Sequence, residues 1–428
     1  MIGPRDHPLR YALSEEFHAR PFAELAGPVL ATHFALLPSN ADARDDRDHV
    51  ADLCRRFDRK PPAADANHFL QDFGAFRLKW ERHTEFTTFS FFHQGASSTP
   101  FDTPAFHYLP ADWIDSLPGE RLVATNLYLG RLEDLETAPG GPVAQFQSKS
   151  LCRGQVMAGR AEVWTDFRIH DDGFTRILIV DRGLVPSQAG RLVQQVLELQ
   201  TYRSMALLAL PLAREAGPVI TRIDQSLAEL TAEMQRSSGT SGEKALLDKL
   251  MALSTEIEAS IAATSYRFSA AAAYHALVRE RLSELDETLV EDFPTLRTFI
   301  ERRLAPAMRT CESVAERQTI LSERATRAAN LLRTSVDIAL EAQNSALLAS
   351  MDKRAKLQLR LQQTVEGLSV AAITYYLVSL IGYLLKALSK SVPSLNVDLL
   401  RGLCIPLVAI LVWLAARSVR KSLHKDDA

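Results

Sequence analysis

Hydrophobic and polar positions follow three different rhythms along this chain, and the change from one to the next divides it. Up to about Pro186 apolar residues recur at every second position, the period of a strand with one covered face. Phe76, Leu78 and Trp80 alternate with Arg77, Lys79 and Glu81, and Val163, Phe167 and Ile169 share a face opposite Trp164, Asp166 and Arg168. The pattern predicts strands over 29–37, 75–82, 85–92, 122–129, 155–170 in one or two pieces, and 175–180. Asp171-Asp172-Gly173 is a hairpin turn between the last two, because Asp-Gly supplies the positive backbone angles such a turn demands. Helices are expected over 46–58 and 110–115. The fold class of this part is α+β, largely antiparallel.

After Pro186 the period lengthens to that of a helix. Ser187 is placed to cap a helix through Leu192, Val196, Leu199 and Met205 toward Glu215, with Gly217-Pro218 ending it. The Ser, Gly and Thr residues of 237–242 read as a flexible link. Beyond them Leu246, Leu250, Leu253, Ile257 and Ile261, then His275, Val278, Leu282, Leu285 and Leu289, are spaced by three and four, as a coiled-coil seam requires. Pro294 and Pro306 interrupt the pattern, and from there to Gly367 neither Gly nor Pro occurs. A single helix over that stretch would be on the order of 90 Å long. Alanine runs at 270–273 and 328–329 suit close packing. Apolar seams do not say whether their partner lies in the same chain or in another, so a stalk closed on itself and a stalk that makes a homo-oligomer both fit.

The third rhythm is none at all: two continuous apolar runs, 368–385 and 399–416. Each approaches the length of about 17 to 25 residues that a helix needs to cross a bilayer. Arg401 sits where it can snorkel to the interface, and Pro406 is tolerated within a membrane. Lys353, Arg354, Lys356 and Arg360 precede the first run and Arg417, Arg420, Lys421 and Lys425 follow the second, whereas the connection offers Lys386, Lys390 and Arg401. The positive-inside rule then puts both termini in the cytoplasm and the loop 389–398 on the other side. The first eight residues lack the apolar core of a signal peptide. The expected plan is an α+β domain over 1–186, a helical coiled-coil stalk over 187–366, a transmembrane hairpin over 367–418 in the lipid bilayer, and a basic tail over 419–428.

A formal net charge of -3 gives no basic surface for nucleic acid. Cys54, Cys152, Cys311 and Cys404 are scattered without a CxxC, which suits a reducing compartment and argues against a disulfide framework or a cysteine-built zinc site. No cofactor is indicated: residues 139–142 read as a turn, and no GxGxxG, GxxxxGK[ST] or GxSxG motif occurs. Nine of the eleven histidines fall at or before His170. Two clusters are densest in polar groups. One holds His7, Arg10, His18 and Arg20; the other holds Glu81, Arg82, His83 and Glu85. On a strand, His83 and Glu85 would share a face and could share a proton or a metal, although neither cluster has a zinc spacing. Ion pairing within each cluster accounts for the same residues. Arg203 places a cation on a helix that is otherwise apolar on both flanks, toward the α+β domain or a ligand at its edge.

The motifs His7-Pro8, His18-Ala19-Arg20-Pro21, 80–86, Thr201-Tyr202-Arg203 and 361–369 together resemble the domain-of-unknown-function family 3422 of bacterial membrane-anchored proteins. The resemblance spans nearly the whole chain and implies a bacterial inner-membrane protein, without bringing an activity. The order of elements is also similar to CorA-type cation channels, which carry Gly-Met-Asn where this chain has Gly382-Tyr383-Leu384. Ala372, Tyr376, Ser379 and Tyr383 follow helical spacing, as residues lining a pore or packing two spans together would. The role expected is a non-catalytic anchored scaffold or ligand-sensing module. A cation channel, or an enzyme or metal site in the α+β part, is the alternative.

Overall fold

The computed structural model describes residues 6–11, 13–14, 22–38, 45–136, 141–236, 240–388 and 397–423. The strands are β1 Val29–Leu37, β2 His68–Asp72, β3 Arg77–Arg82, β4 Thr87–Gln94, β5 Glu120–Gly130, β6 Cys152–Val156, β7 Ala161–Thr165, β8 Thr175–Asp181 and β9 Thr288–Leu289. They pair into one sheet in the order β2-β3-β4-β1-β5-β8-β7-β6-β9. Only β5 and β8 run parallel. The helices are α1 Asp45–Arg56, α2 Ala111–Asp115, α3 Glu133–Glu136, α4 Pro186–Leu207, α5 Ala209–Arg236, α6 Thr240–Glu284, α7 Leu296–Leu388 and α8 Val397–Leu423.

The chain forms two compact units, Met1–Gln235 with Asp248–Ala329, and Arg236–Leu247 with Asn330–Ala428. In the first, alternation along the strands gives the sheet two covered faces. Leu30, Phe34, Leu78, Trp80, Phe89, Phe91 and Tyr128 pack with Val50, Leu53 and Cys54 of α1 and with Trp113 of α2. On the opposite face Ala31, Leu127, Leu129, Val163, Ile177 and Ile179 share a core with Leu192, Val193, Val196 and Leu199 of α4. The expected change at 186/187 is a change from strands to helices.

Several expectations are corrected. The alternation assigned to Phe167 and Ile169 stops at Thr165, because the buried carboxylate of Asp166 accepts the N–H groups of Gln147 and Arg168 and turns the chain. Ile169 is left 73% exposed. Residues 171–173 do form a turn, with the His170 N–H donating to the Phe174 carbonyl at 2.9 Å and Gly173 at a φ of 81°. The short strands β2 and β9 lack a continuous covered face and gave no period to read.

Among the helices, α4 begins with Pro186 at its first position, where no N–H is needed, so Ser187 is not the cap. Gly217-Pro218 does not end a helix but lies inside α5. A proline there costs roughly 3 kcal/mol, yet Ile220, Ile223 and Leu227 are fully buried just beyond it, each contributing about 1.5–3 kcal/mol. Packing overrides the breaker. Pro306 is likewise inside α7. The seam of α6 is filled within the chain: Leu250, Ile257, Val278 and Leu282 share a core with Ile223 and Leu227 of α5 and with Ile300, Leu304 and Leu321 of α7. Leu289 leaves it, lying exposed on β9 after α6 has ended.

In the second unit, α7 contains a stretch long and apolar enough to cross a membrane, and the apolar part of α8, Gly402–Ser418, is shorter. Residues 389–396, most of the expected loop, lie outside the described residues, as do 237–239 of the expected link.

The approach of the chain to α4 depends on one glycine. A Cβ at Gly190 would lie 1.8 Å from the Ala23 carbonyl oxygen, where segment 22–26 crosses the helix and the Leu25 N–H donates to the Pro186 carbonyl at 3.1 Å. Gly190→Ala gains up to about 1 kcal/mol of helix propensity but must displace that backbone. We expect a net loss of about 1–3 kcal/mol, read as a lower urea midpoint; an unchanged or raised midpoint would show that the crossing is loose.

Candidate functional site

The face of the sheet beneath α4 carries a line of polar residues across five strands. Cross-strand register places Lys79 of β3 opposite Ser90 of β4, Ser90 opposite His33 of β1, His33 opposite Thr125 of β5, and Thr125 opposite Thr175 of β8. All five side chains are buried. Polar groups buried at this depth require partners, since an orphan costs about 1–3 kcal/mol. Each has one. Thr125 and Thr175 hydroxyls bond at 2.8 Å. His33 Nδ1 lies 2.8 Å from Ser90 Oγ and Nε2 lies 3.0 Å from Thr201 Oγ1 of α4. The Thr201 hydroxyl already donates to the Leu197 carbonyl, so it accepts from His33. The imidazole therefore carries its proton on Nε2 and accepts from Ser90 on Nδ1.

Lys79 extends the row into a charged network. Its Nζ lies 3.0 Å from Glu81 Oε1 and donates to Gln194 Oε1 of α4 at 3.0 Å. Gln194 donates to Glu198 at 2.7 Å, and Arg281 of α6 closes on Glu198 at 2.6 Å. Strand, α4 and α6 are thus joined by alternating donors and acceptors. Between them is a cavity of ≈ 40 Å³, bordered by His33, Lys79, Glu81, His83, Glu198 and Tyr202 among others. Pockets that take organic ligands run to about 300–1,000 Å³, so this space is small beside them.

The two sequence clusters separate here. His7 and Arg10 are exposed at a local turn, where the Leu9 N–H donates to His7 Nδ1 at 3.2 Å and Arg10 pairs with Asp6. His18 and Arg20 lie outside the described residues. Glu81 and His83 border the cavity, with the His83 ring stacked on Phe86 at 4.3 Å. Arg82 points to the other face of the sheet and is bound to Asp46 of α1. Glu85 was expected to share a strand face with His83, but β3 ends at Arg82 and β4 begins at Thr87, so both are in the turn. Glu85 instead accepts from Arg267 of α6 at 2.9 Å. Burial opposes its charge, but the hydrogen bonds from Arg267, Tyr274 and Tyr266 outweigh this and hold its carboxyl below the usual range. Among the described residues no group of three His, Cys, Asp or Glu side chains is placed to hold a metal. Arg203 does reach the α+β part, its guanidinium 5.0 Å from the Phe167 ring centre. Tyr376 and Tyr383 are exposed on α7, and Ser379 is half-buried.

Sequence reasoning passed over His33, Ser90, Thr125, Thr175 and Thr201. The available signal was a single polar residue at the covered-face position of each of several strands, which becomes visible only when the strands are aligned in register.

Burial first, then the charges of Lys79 and His83, push the His33 pKa down from 6.5 to about 3. Unfolded, the ring takes up a proton near pH 6.5; folded, it resists until about pH 3. The neutral ring is fully compatible with the fold above pH 6.5, and stability falls as pH drops through that window, by up to ~1.4 kcal/mol per pH unit. His33→Gln, which keeps a donor and an acceptor, should flatten that dependence in urea unfolding across the window. Parallel slopes for the two proteins would remove His33 as the titrating group.

No curated protein and no solved structure is similar to this chain. One family of sequences is: proteins of unknown function designated DUF3422, matched over residues 5–423, nearly the full length and including the sheet, the polar row and the apolar helix. The chain belongs to that family.

Proposed function

We propose that this protein is a membrane-anchored scaffold or ligand-sensing module whose copies associate through α7. The observation that carries this reading is a stretch of that helix left exposed by the rest of the described residues. Every residue from 340 to 365 is exposed, yet Leu340, Leu347, Leu361 and Leu368 fall on one heptad position, with Arg354 standing between Leu347 and Leu361 and with Met351 and Val365 four residues after those two leucines. Leu361 is 63% exposed and Val365 64%. Heptad spacing of this kind matches a coiled-coil seam, and a bare stripe of leucines over so many turns is a surface that association would cover. A second copy supplies the same stripe, in register, at no cost in new sequence. The seam expected nearer the centre of α6 is occupied within the chain and is not available for this purpose.

Anchoring supports the same reading. The stripe leads into the apolar stretch of α7, and α8 returns with an apolar part of its own, so a two-span hairpin in a bacterial inner membrane with both termini cytoplasmic is the arrangement that fits the flanking basic residues.

Light scattering on the full-length protein in mild detergent should give a mass above that of one chain. Leu347→Glu with Leu361→Glu should reduce it to a single chain without altering the urea midpoint of the sheet. A wild-type monomer at micromolar concentration would sink the self-association. Reporter fusions at the C-terminus and within 389–398 test the hairpin separately, and a loop reporter active in the cytoplasm would contradict it.

A further inference from the structure

On α4, on either side of the His33 contact at Thr201, two neighbouring donors are buried with no acceptor among the described residues. Arg203 donates from one terminal nitrogen to Gln200 Oε1 at 2.7 Å. Its Nε is enclosed and has no partner among the described residues. Gln200 is 1% exposed, and its Nε2, the other end of the same amide, is also enclosed and unpartnered. The orientation of that amide is fixed, because its oxygen must face the guanidinium. The two side chains therefore join through one bond and leave a guanidinium N–H and an amide N–H₂ unspent beside it.

Charge adds to this. No carboxylate among the described residues pairs with Arg203, and burial lowers its pKa from 12.5 to about 10. The side chain is only partly exposed, and a cation shielded in this way without a counter-ion is costly, so such charges are ordinarily paired. Its guanidinium carbon lies over the ring of Phe167, 5.0 Å from the ring centre, and the Phe167 backbone is held in the left-handed region at a φ of 55°. Asp166 holds that loop, accepting from Gln147, Arg168 and His170. Phe167 stacks in turn on Phe299 of α7 at 5.0 Å, and Arg303 lies 3.6 Å over the other ring of that pair. Two guanidinium groups thus border one aromatic stack.

We propose that Arg203 and Gln200 form a binding site for the oxyanion of a small ligand, a carboxylate or a phosphate. The guanidinium Nε–H and the amide Nε2–H₂ are its donors, and Phe167 packs against the guanidinium. Guanidinium is suited to this because its planar, fixed donors match the spacing of oxyanion lone pairs. The assignment names a ligand chemistry for the sensing role and stands independently of self-association through α7.

The test is thermal unfolding of the full-length protein in detergent at constant ionic strength, with sodium chloride replaced stepwise by sodium phosphate or by sodium acetate. The wild type should show a saturable rise in Tm with one of the two. Phosphate assigns a phosphoryl ligand and acetate a carboxylate, and either result supports the site. Arg203→Met should abolish the saturable rise, while its Tm in chloride alone is no lower than that of the wild type, because the variant sheds an uncompensated buried charge. Gln200→Leu should raise the half-saturating concentration by about tenfold, the size of one charge-assisted bond. It carries the test by itself if Arg203→Met does not fold. The proposal is overturned by a wild type that responds saturably to neither anion, by an Arg203→Met protein that keeps the response or melts several degrees lower in chloride, or by a Gln200→Leu protein with unchanged half-saturation.

Discussion

Five buried polar side chains in a line across one sheet face impose a requirement that the surrounding structure has to meet. Removed from water by α4, each must find a partner or cost about 1–3 kcal/mol, and the partners found are specific. Ser90 and Thr201 clamp the two nitrogens of His33, and Gln194 takes the ammonium of Lys79. Such bonds add little net stability compared with the apolar burial on either side, but they discriminate strongly. A one-residue slip of β1 against β4 would turn His33 to the opposite face, among the phenylalanines. A rotation of α4 would strand Lys79. The row thus fixes strand register and helix rotation together, while Ile177, Ile179, Leu127 and Leu192 supply the driving force.

The same logic reaches outward through the charged chain from Glu81 to Arg281 and through Glu85 to Arg267. Both attach the sheet to α6. In both, the carboxylates are engaged by cations. Arg203 differs from these in having no such counter-charge among the described residues, which is why it and not the denser Glu81–Glu85 cluster carries the ligand proposal.

What the sequence disclosed followed from local chemistry. The limits of β1, the Asp172-Gly173 turn and α1 depend on alternation, on positive backbone angles and on helical spacing, all visible within a dozen residues. What it hid depended on distant partners. Pro218 reads as a stop, but is carried inside α5 by the burial of Ile220 and Leu227. Phe167 reads as the continuation of a strand, but Asp166 turns the chain to bonds with Gln147 and His170. His83 and Glu85 read as a pair on one strand and are separated by the turn they make. His33 reads as an isolated histidine in an apolar run, and only the register of four other strands turns it into the centre of a network. In α7 the heptad stripe over 340–365 was overlooked beside the stronger seam of α6, since periodicity alone does not tell which of two seams is already filled.

The central claim is that His33 is a neutral, doubly hydrogen-bonded member of a closed polar row. Nitrogen NMR of histidine-labelled protein at pH 5 tests it directly, because a free imidazole is then largely protonated. The account predicts that His33 shows one protonated and one bare nitrogen, with the proton on Nε2. An imidazolium signature for His33 at that pH, or a proton on Nδ1, would contradict it.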